Sequence, residues 1–233
     1  MEEIRKKIKN CCLEKEAAFC TSSCPFHFDV REFIQRLRRG AFNSAYRLYA
    51  NTVAFPSLVA ELCEELCKTE CLRGNVDGVI ALKLLEKAST MYATSTKPNN
   101  YNLPSKDKRV AIVGAGVSGL ACALRLANKK YSVSIFEKSD RIGGHLWDLL
   151  EPDFFLDEIN WQFQYERYEF FSKTRVTDLD EISRDFDGVY VATGKGGEDF
   201  GLLSSEETAG RTTLLPRTGF SSSRFSKIAL VML

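Results

Sequence analysis

Cys12, Cys20, Cys24, Cys63, Cys67 and Cys71 are the residues of this chain best suited to chemistry, because thiolates are soft ligands for iron and zinc. Seven of the eight cysteines, Cys11 included, fall at or before Cys71, and Cys122 alone lies beyond. The chain opens on Met1-Glu2-Glu3, without the apolar run of an export signal. A disulfide framework is therefore not expected, and the uneven distribution points to a metal or cluster site in the first third. C-x2-C pairs, the usual mark of a mononuclear zinc site, do not occur. Cys20-x3-Cys24-Pro25 matches the tail of the bacterial ferredoxin run, whose final cysteine serves a different cluster from its predecessors. Cys63, Cys67 and Cys71 recur every four residues, which on a continuous helix would align them along one face. Taken alone they read equally well as small apolar residues of that face.

The second constellation is Gly114-Ala115-Gly116-Val117-Ser118-Gly119, a G-x-G-x-x-G sequence between an apolar run and an apolar-periodic segment. In a strand–turn–helix context Gly114 makes the tight turn, Gly116 lets the backbone approach a pyrophosphate, and Gly119 lets helix and strand pack closely. The anion then sits at the helix N-terminus. Glu137 ends the next apolar run, followed by Lys138, and is placed to accept hydrogen bonds from ribose hydroxyls. A Gly-rich turn that packs without ligand is the bland alternative.

These residues need elements to hold them. The stretch Ala93 to Asp107, polar and rich in Pro and Asn, reads as a linker. It separates an expected helical domain over residues 1–94 from a Rossmann-like domain over 108–203, with 95–107 between them and a tail of unknown structure over 204–233. In the first domain, helices are expected from Val30 to Leu37, capped by Asp29 and stopped by Gly40, and over Asn43–Ala50, Pro56–Leu66 and Val76–Tyr92. In the second, Arg109–Gly114 and Tyr131–Glu137 read as strands joined through a helix Ser118–Asn128, with a third strand over Gly188–Ala192. The fold class is thus α/β with an N-terminal all-α domain. The aromatic-rich stretch from Phe154 to Asp187 is ambiguous between helix and strand.

The order GxGxxG, Glu137, then Arg141-Ile142-Gly143-Gly144, then Val191-Ala192-Thr193-Gly194 resembles the two-dinucleotide-binding-domain flavoproteins, whose first such unit holds FAD. The resemblance implies FAD rather than NAD here, with Gly143 and Gly144 admitting a second loop near the phosphates and Thr193 and Gly194 ending a strand near the flavin. The N-terminal region is similar to the iron–sulfur domain that precedes the flavin unit in the small subunit of bacterial glutamate synthase and in dihydropyrimidine dehydrogenase. The features shared run in order from a Cys-rich start through Cys24-Pro25, Phe33-Ile34, Gly40, Ala45-Tyr46, Asn51 to Pro56, Cys71-Leu72-Arg73-Gly74 and Leu85-Glu86 to the flavin motif. That resemblance implies two [4Fe–4S] clusters with interleaved ligands: Cys12, Cys20 and Cys71 for one, and Cys24, Cys63, Cys67 and the side-chain oxygen of Glu86 for the other. Lys15 stands where the family's first group has its second cysteine. Either the adjacent Cys11 supplies the missing ligand, or the first cluster is incomplete, labile or absent.

The resemblance also implies a pyridine nucleotide, NAD(P)H, reducing FAD, with FAD passing single electrons to the clusters and to a redox partner subunit. The relatives continue into a nicotinamide-binding domain and a return segment, for which Lys195 to Leu233 is too short, so independent turnover is not expected. The rival reading is a non-catalytic iron–sulfur or zinc-bearing interaction module on a Rossmann scaffold; a third, a plain NAD-binding protein with inert cysteines, accounts poorly for the cysteine clustering.

With 32 basic against 31 acidic residues and a formal net charge of +1, no global field recruits nucleic acid or an anionic membrane. No apolar run approaches membrane-spanning length, and a cytoplasmic protein is expected. His27 and His145 are too few for a His-rich metal site and read as loop residues. Trp147, Phe154, Phe155, Trp161, Phe163 and Tyr165 could stack on a ring, although the core is their commoner place.

Overall fold

The computed structural model describes residues 2–13, 16, 18–194 and 213–216; Lys15 and the remainder of the 204–233 tail lie outside the described residues. The chain divides into two compact units, Met1–Thr96 and Lys97–Leu233.

The first unit is helical. It begins with α1 (Glu2–Ile8), a π-type turn over Lys9–Leu13 and α2 (Phe19–Ser23), followed by α3 (Val30–Arg38), α4 (Phe42–Thr52), α5 (Pro56–Leu62) and α6 (Leu82–Tyr92). Asp29 caps α3 by accepting a hydrogen bond from the Glu32 amide at 3.0 Å. Phe28, Phe33 and Tyr49 meet with ring centroids 4.9–6.0 Å apart and form the centre of the core, against which Cys20 and Cys24 pack.

Two helices are shorter than their apolar spacing suggests. α5 ends at Leu62, and the backbone leaves the helix at Cys63 before Glu65 turns to φ +56°. Glu61, Glu64 and Glu65 crowd the end of a helix whose free carbonyls already carry partial negative charge, which disfavours extension. Cys63, Cys67 and Cys71 therefore do not line a helix face. They occupy the end of α5, a 3-10 turn over Leu66–Lys68 and the cap of a second 3-10 turn over Leu72–Asn75. α6 begins at Leu82 rather than Val76, because Gly78 adopts φ +109° and the amides of Val76, Asp77 and Gly78 all close back on the Arg73 carbonyl.

The second unit is built on a five-stranded sheet in the order β3-β2-β1-β4-β5, from β1 (Arg109–Val113), β2 (Ser132–Phe136), β3 (Glu169–Phe171), β4 (Gly188–Val191) and β5 (Thr213–Pro216). The first four strands are parallel and β5 is antiparallel to β4. The 12-residue α7 (Val117–Asn128) connects β1 to β2; its buried Ala121, Ala123 and Ala127 let it lie close to the sheet. β1 is flanked by β2 and β4, so the strand order reverses at its C-terminal end, the position where open α/β sheets leave a crevice for ligands. After the short α8 (Leu146–Leu149), α9 (Pro152–Gln162), β3 and α10 (Leu179–Ser183) resolve the ambiguous stretch into a helix, a short strand and a helical turn. Trp147 packs edge-on against the buried Phe155 at 5.2 Å, and Phe163 against Tyr168 at 4.8 Å, so these aromatics serve the core; Phe154, Trp161 and Tyr165 are exposed. Asp187 fastens β4 to the start of β1: its carboxylate accepts from the Lys108 ammonium at 2.8 Å and the Arg109 amide at 2.9 Å. No described helix is long and apolar enough to cross a membrane.

Candidate iron–sulfur and dinucleotide sites

In the first unit, local backbone geometry delivers the thiols. Cys20 lies in α2 and Cys24 caps it, the Cys24 amide donating to the Cys20 carbonyl at 3.1 Å. α2 packs against the 3-10 turn that carries Cys67, and α1 packs near the turn capped by Cys71. All eight cysteines are free thiols.

Mutual electrostatics sort the thiols. Burial raises the pKa of Cys12, and Cys71 raises it further, while the guanidinium groups of Arg73 and Arg31 oppose the shift. Burial likewise raises Cys20, to which Cys12 and Cys71 both add. Cys63 is raised by burial, with Glu86 and Cys24 contributing. Burial pushes Cys67 up to about 12, followed by the effects of Cys63, Cys20, Cys24 and Glu86. Cys12, Cys20 and Cys71 thus form one neighbourhood, and Cys24, Cys63, Cys67 and Glu86 a second, with Cys20 close to both.

Glu86, on α6, is only 3% exposed. Burial raises its pKa to about 7; the nearby Tyr49 hydroxyl and Cys63 thiol pull the other way and Glu65 reinforces the rise. Neither the Glu86 Oε2 nor the Tyr49 hydroxyl completes a hydrogen bond. A buried carboxyl oxygen without a partner costs about 1–3 kcal/mol or more, and burial disfavours ionisation of the neighbouring Cys63 and Cys67 thiols. An electrophilic group between Glu86 and the three thiols would relieve both costs, so the donor set fits a metal cluster. Among the described residues no group of three His, Cys, Asp or Glu side chains converges tightly enough for a single ion. Tyr49 escapes detection in the sequence because its helical spacing marks it only as core.

Cys11 stands apart. It is buried, and its thiol donates to the Glu16 carboxylate at 3.3 Å. Lys15, the residue at the departing position, lies outside the described residues. Cys122 is buried in α7 and belongs to the other unit, where burial pushes its pKa to about 12. Cys122→Ala should leave iron content unchanged and lower stability by ~1 kcal/mol, the cost of one deleted heavy atom in a core, as iron analysis and thermal melting would register.

In the second unit, the glycine-rich turn and the loop after Glu137 are knitted together. The Gly114 amide donates to the Phe136 carbonyl and the Gly143 amide to the Ala115 carbonyl, each at 2.8 Å, and Gly116 and Gly143 form a parallel bridge. Gly114 adopts φ +107°, and a Cβ there would collide with the Ala192 carbonyl at the end of β4. A Cβ on Gly119 would collide with the Gly114 carbonyl, so helix and turn are in direct contact. Gly119→Ala should destabilise this unit by about 1–3 kcal/mol or more, since only backbone could give way, an effect visible as a lowered melting temperature without ligand. A Cβ on Gly144 would press on the Gly116 Cα at 3.0 Å. By contrast, a Cβ on Gly116 would meet nothing within 4 Å; the space beside this backbone, at the N-terminus of α7, is open.

Glu137 faces the same turn. Its Oε2 accepts from the Ala115 amide at 2.7 Å, and its Oε1 from the Ser139 amide and hydroxyl at 2.9 and 3.0 Å. An ionised carboxylate has about four acceptor positions, so one remains for a ribose hydroxyl. Ser139 was not legible as part of this site, being one of several serines in a polar turn. The Ser118 hydroxyl is 3.3 Å from that of Tyr190 on β4. Thr193 and Gly194 follow β4, with Gly194 at φ +62°, and Lys138 is exposed beyond Glu137. His145 is an exposed loop residue whose Nδ1 lies 2.8 Å from the Asp148 carboxylate.

Comparison with known proteins agrees with this division of labour. Residues 2–98 match the family described as dihydropyrimidine dehydrogenase domain II, 4Fe-4S cluster, and residues 112–157 match the NAD(P)-binding Rossmann-like domain. The glutamate synthase [NADPH] small chain of Mycobacterium tuberculosis is 31% identical over 208 residues, covering 83% of this chain and 41% of that protein. The NADPH-Fe(3+) oxidoreductase subunit beta of Geobacter sulfurreducens is 33% identical over 127 residues, covering 54% of this chain and 19% of that protein. The NADP(+)-dependent formate dehydrogenase subunit beta of Moorella thermoacetica is 27% identical over 206 residues, 75% of this chain and 29% of its own length. The chain therefore spans less than half the length of each of these relatives.

Proposed function

We propose that this chain, in which an iron–sulfur segment of the dihydropyrimidine dehydrogenase type precedes a Rossmann-like dinucleotide-binding segment, is an electron-transfer component of an NAD(P)H-dependent oxidoreductase. The observation that carries the reading is the gathering of six thiols in two neighbourhoods, one of them beside the buried Glu86 whose Oε2 completes no hydrogen bond, within the segment that matches the 4Fe-4S family. The functional boundaries follow the composition: residues 1–94 hold the clusters, 95–107 link, and 108–203 bind the dinucleotide.

FAD is the dinucleotide favoured for the second segment. The open flank of Gly116, the pinning of Gly143 against Ala115, and Thr193 and Gly194 at the end of β4 support it, each lying around the C-terminal end of β1. Bound there, FAD would supply hydride acceptance and single-electron release, and the clusters single-electron carriage. The chain's own part is positional. The α7 N-terminus and the Gly116 backbone hold the pyrophosphate, and Glu137 orients the ribose while its other acceptor sites tie the two loops together. Cys24, Cys63, Cys67 and Glu86 hold one cluster, and Cys12, Cys20 and Cys71 the other. A partner subunit receives or donates the electrons; the relatives named as beta subunits and small chains favour that arrangement. Free cysteines throughout the first unit favour a reducing compartment, the cytoplasm.

Anaerobic purification followed by an ultraviolet-visible spectrum and iron, sulfide, zinc and flavin analysis of one sample tests this reading. Broad absorbance with iron, sulfide and releasable FAD is expected. A folded, colourless protein free of iron and flavin would overturn it.

A further inference from the structure

A four-iron cluster presents four iron atoms to its ligands, and the two neighbourhoods of the first unit differ in how many donors they offer. Cys24, Cys63, Cys67 and Glu86 make four. Among the described residues, Cys12, Cys20 and Cys71 make three. The one further cysteine of the unit, Cys11, is engaged elsewhere: it is 4% exposed and its thiol donates to Glu16 Oε2 at 3.3 Å. The guanidinium of Arg31 donates to the Cys11 carbonyl at 2.6 Å and also to the Glu16 carbonyl, so a single side chain on α3 ties down the backbone at both residues. Turning the Cys11 thiol toward Cys12, Cys20 and Cys71 would break its contact with Glu16, and the Arg31 contacts oppose a shift of the backbone that carries it. The charged groups that act on Cys12 besides Cys71 are Arg73 and Arg31, and a guanidinium has no lone pair to give a metal.

We infer that the Cys12, Cys20 and Cys71 site binds its cluster through three thiolates only, so that one iron carries an exchangeable ligand, water or a small exogenous thiol, while Cys11 is structural. This rests on reading the first unit as an iron–sulfur domain. An iron without any protein ligand is the one a mild oxidant removes first, whereas the Glu86 carboxylate would anchor the fourth iron of the other site. Ferricyanide takes one electron from a [4Fe–4S]2+ cluster, becoming ferrocyanide, and the unanchored iron leaves as Fe2+, so that [3Fe–4S]+ remains.

The test uses the iron-loaded full chain, purified anaerobically and treated with ferricyanide. Electron paramagnetic resonance should then show a three-iron signal, which disappears when dithionite and 57Fe2+ are added, and Mössbauer spectra should place the label in a single iron site. Cys11→Ala should behave identically, and Cys11→Val, closer in volume, repeats the test if the alanine variant fails to fold. Cys71→Ala should lose the three-iron signal while keeping the other cluster. The inference is overturned by a loaded chain that yields no three-iron signal, by loss of that cluster from both Cys11 variants, or by a three-iron signal that survives Cys71→Ala, which would assign it to the Glu86 site. A chain that takes up no iron overturns the proposed function as well, and so is distinguishable from failure of this inference alone.

Discussion

Gly116→Val abolishes dinucleotide binding while leaving the protein folded. At φ −71° and ψ 177° the backbone of Gly116 is extended, a conformation valine adopts readily, and a Cβ there would meet no protein atom within 4 Å. The added Cβ therefore meets no obstacle in the free chain. The branched side chain would fill the open space beside the α7 N-terminus, where the pyrophosphate must come within hydrogen-bonding distance of backbone amides. A loss on the order of 100-fold or more in FAD affinity is expected, equivalent to roughly 3 kcal/mol, with an unchanged melting temperature for the unliganded protein. Isothermal calorimetry paired with thermal melting separates the two quantities. Unaltered FAD affinity would sink the assignment of this turn. The contrast with Gly119→Ala makes the pair informative, since that glycine is needed for packing and its loss is felt without ligand.

Cys67→Ser has the other large effect, on iron. Cys67 is buried against the aromatic core and interacts with Cys63, Cys24 and Glu86. A serine hydroxyl stays protonated near neutrality and offers iron a harder, weaker donor than thiolate. Loss of that cluster should roughly halve the iron and sulfide bound per chain if each site holds four irons. Retention of full iron content would contradict the ligand set, and the Cys122→Ala protein serves as the control in which a buried thiol disappears without loss of metal. Cluster loading should also release protons, because burial holds the Cys12, Cys20, Cys63 and Cys67 thiols protonated in the metal-free chain.

Much of the dinucleotide half was legible because its signals are local. The strand Arg109–Val113, the turn Gly114–Gly119, the helix to Asn128 and the acid at Glu137 follow one another within a single βαβ unit, and each reinforces the others. β3 and β5 were not legible. Three residues, Glu169-Phe170-Phe171, leave no room for alternation, and β3 is defined by its pairing with β2 and by Phe171 stacking on Phe136 at 4.8 Å. β5 likewise exists through its pairing with β4. The cysteine half shows the reverse failing. Spacing by four promised a helical face from Cys63 to Cys71, yet the acidic residues at the end of α5 and the left-handed turn at Glu65 take the chain out of the helix. Glu86 was legible only through resemblance, since a single glutamate on an amphipathic helix looks like any solvated residue until its burial is seen.

The short helix α2 sets a distance as well as a scaffold. Cys20 and Cys24 are joined by one helical hydrogen bond, a rise of about 6 Å along the axis, and in the proposed ligand sets they serve different clusters. A single turn of backbone would then join a ligand of one cluster to a ligand of the other. A substitution that breaks this turn would therefore disturb both ligand sets at once, so the two sites should be lost together rather than one by one.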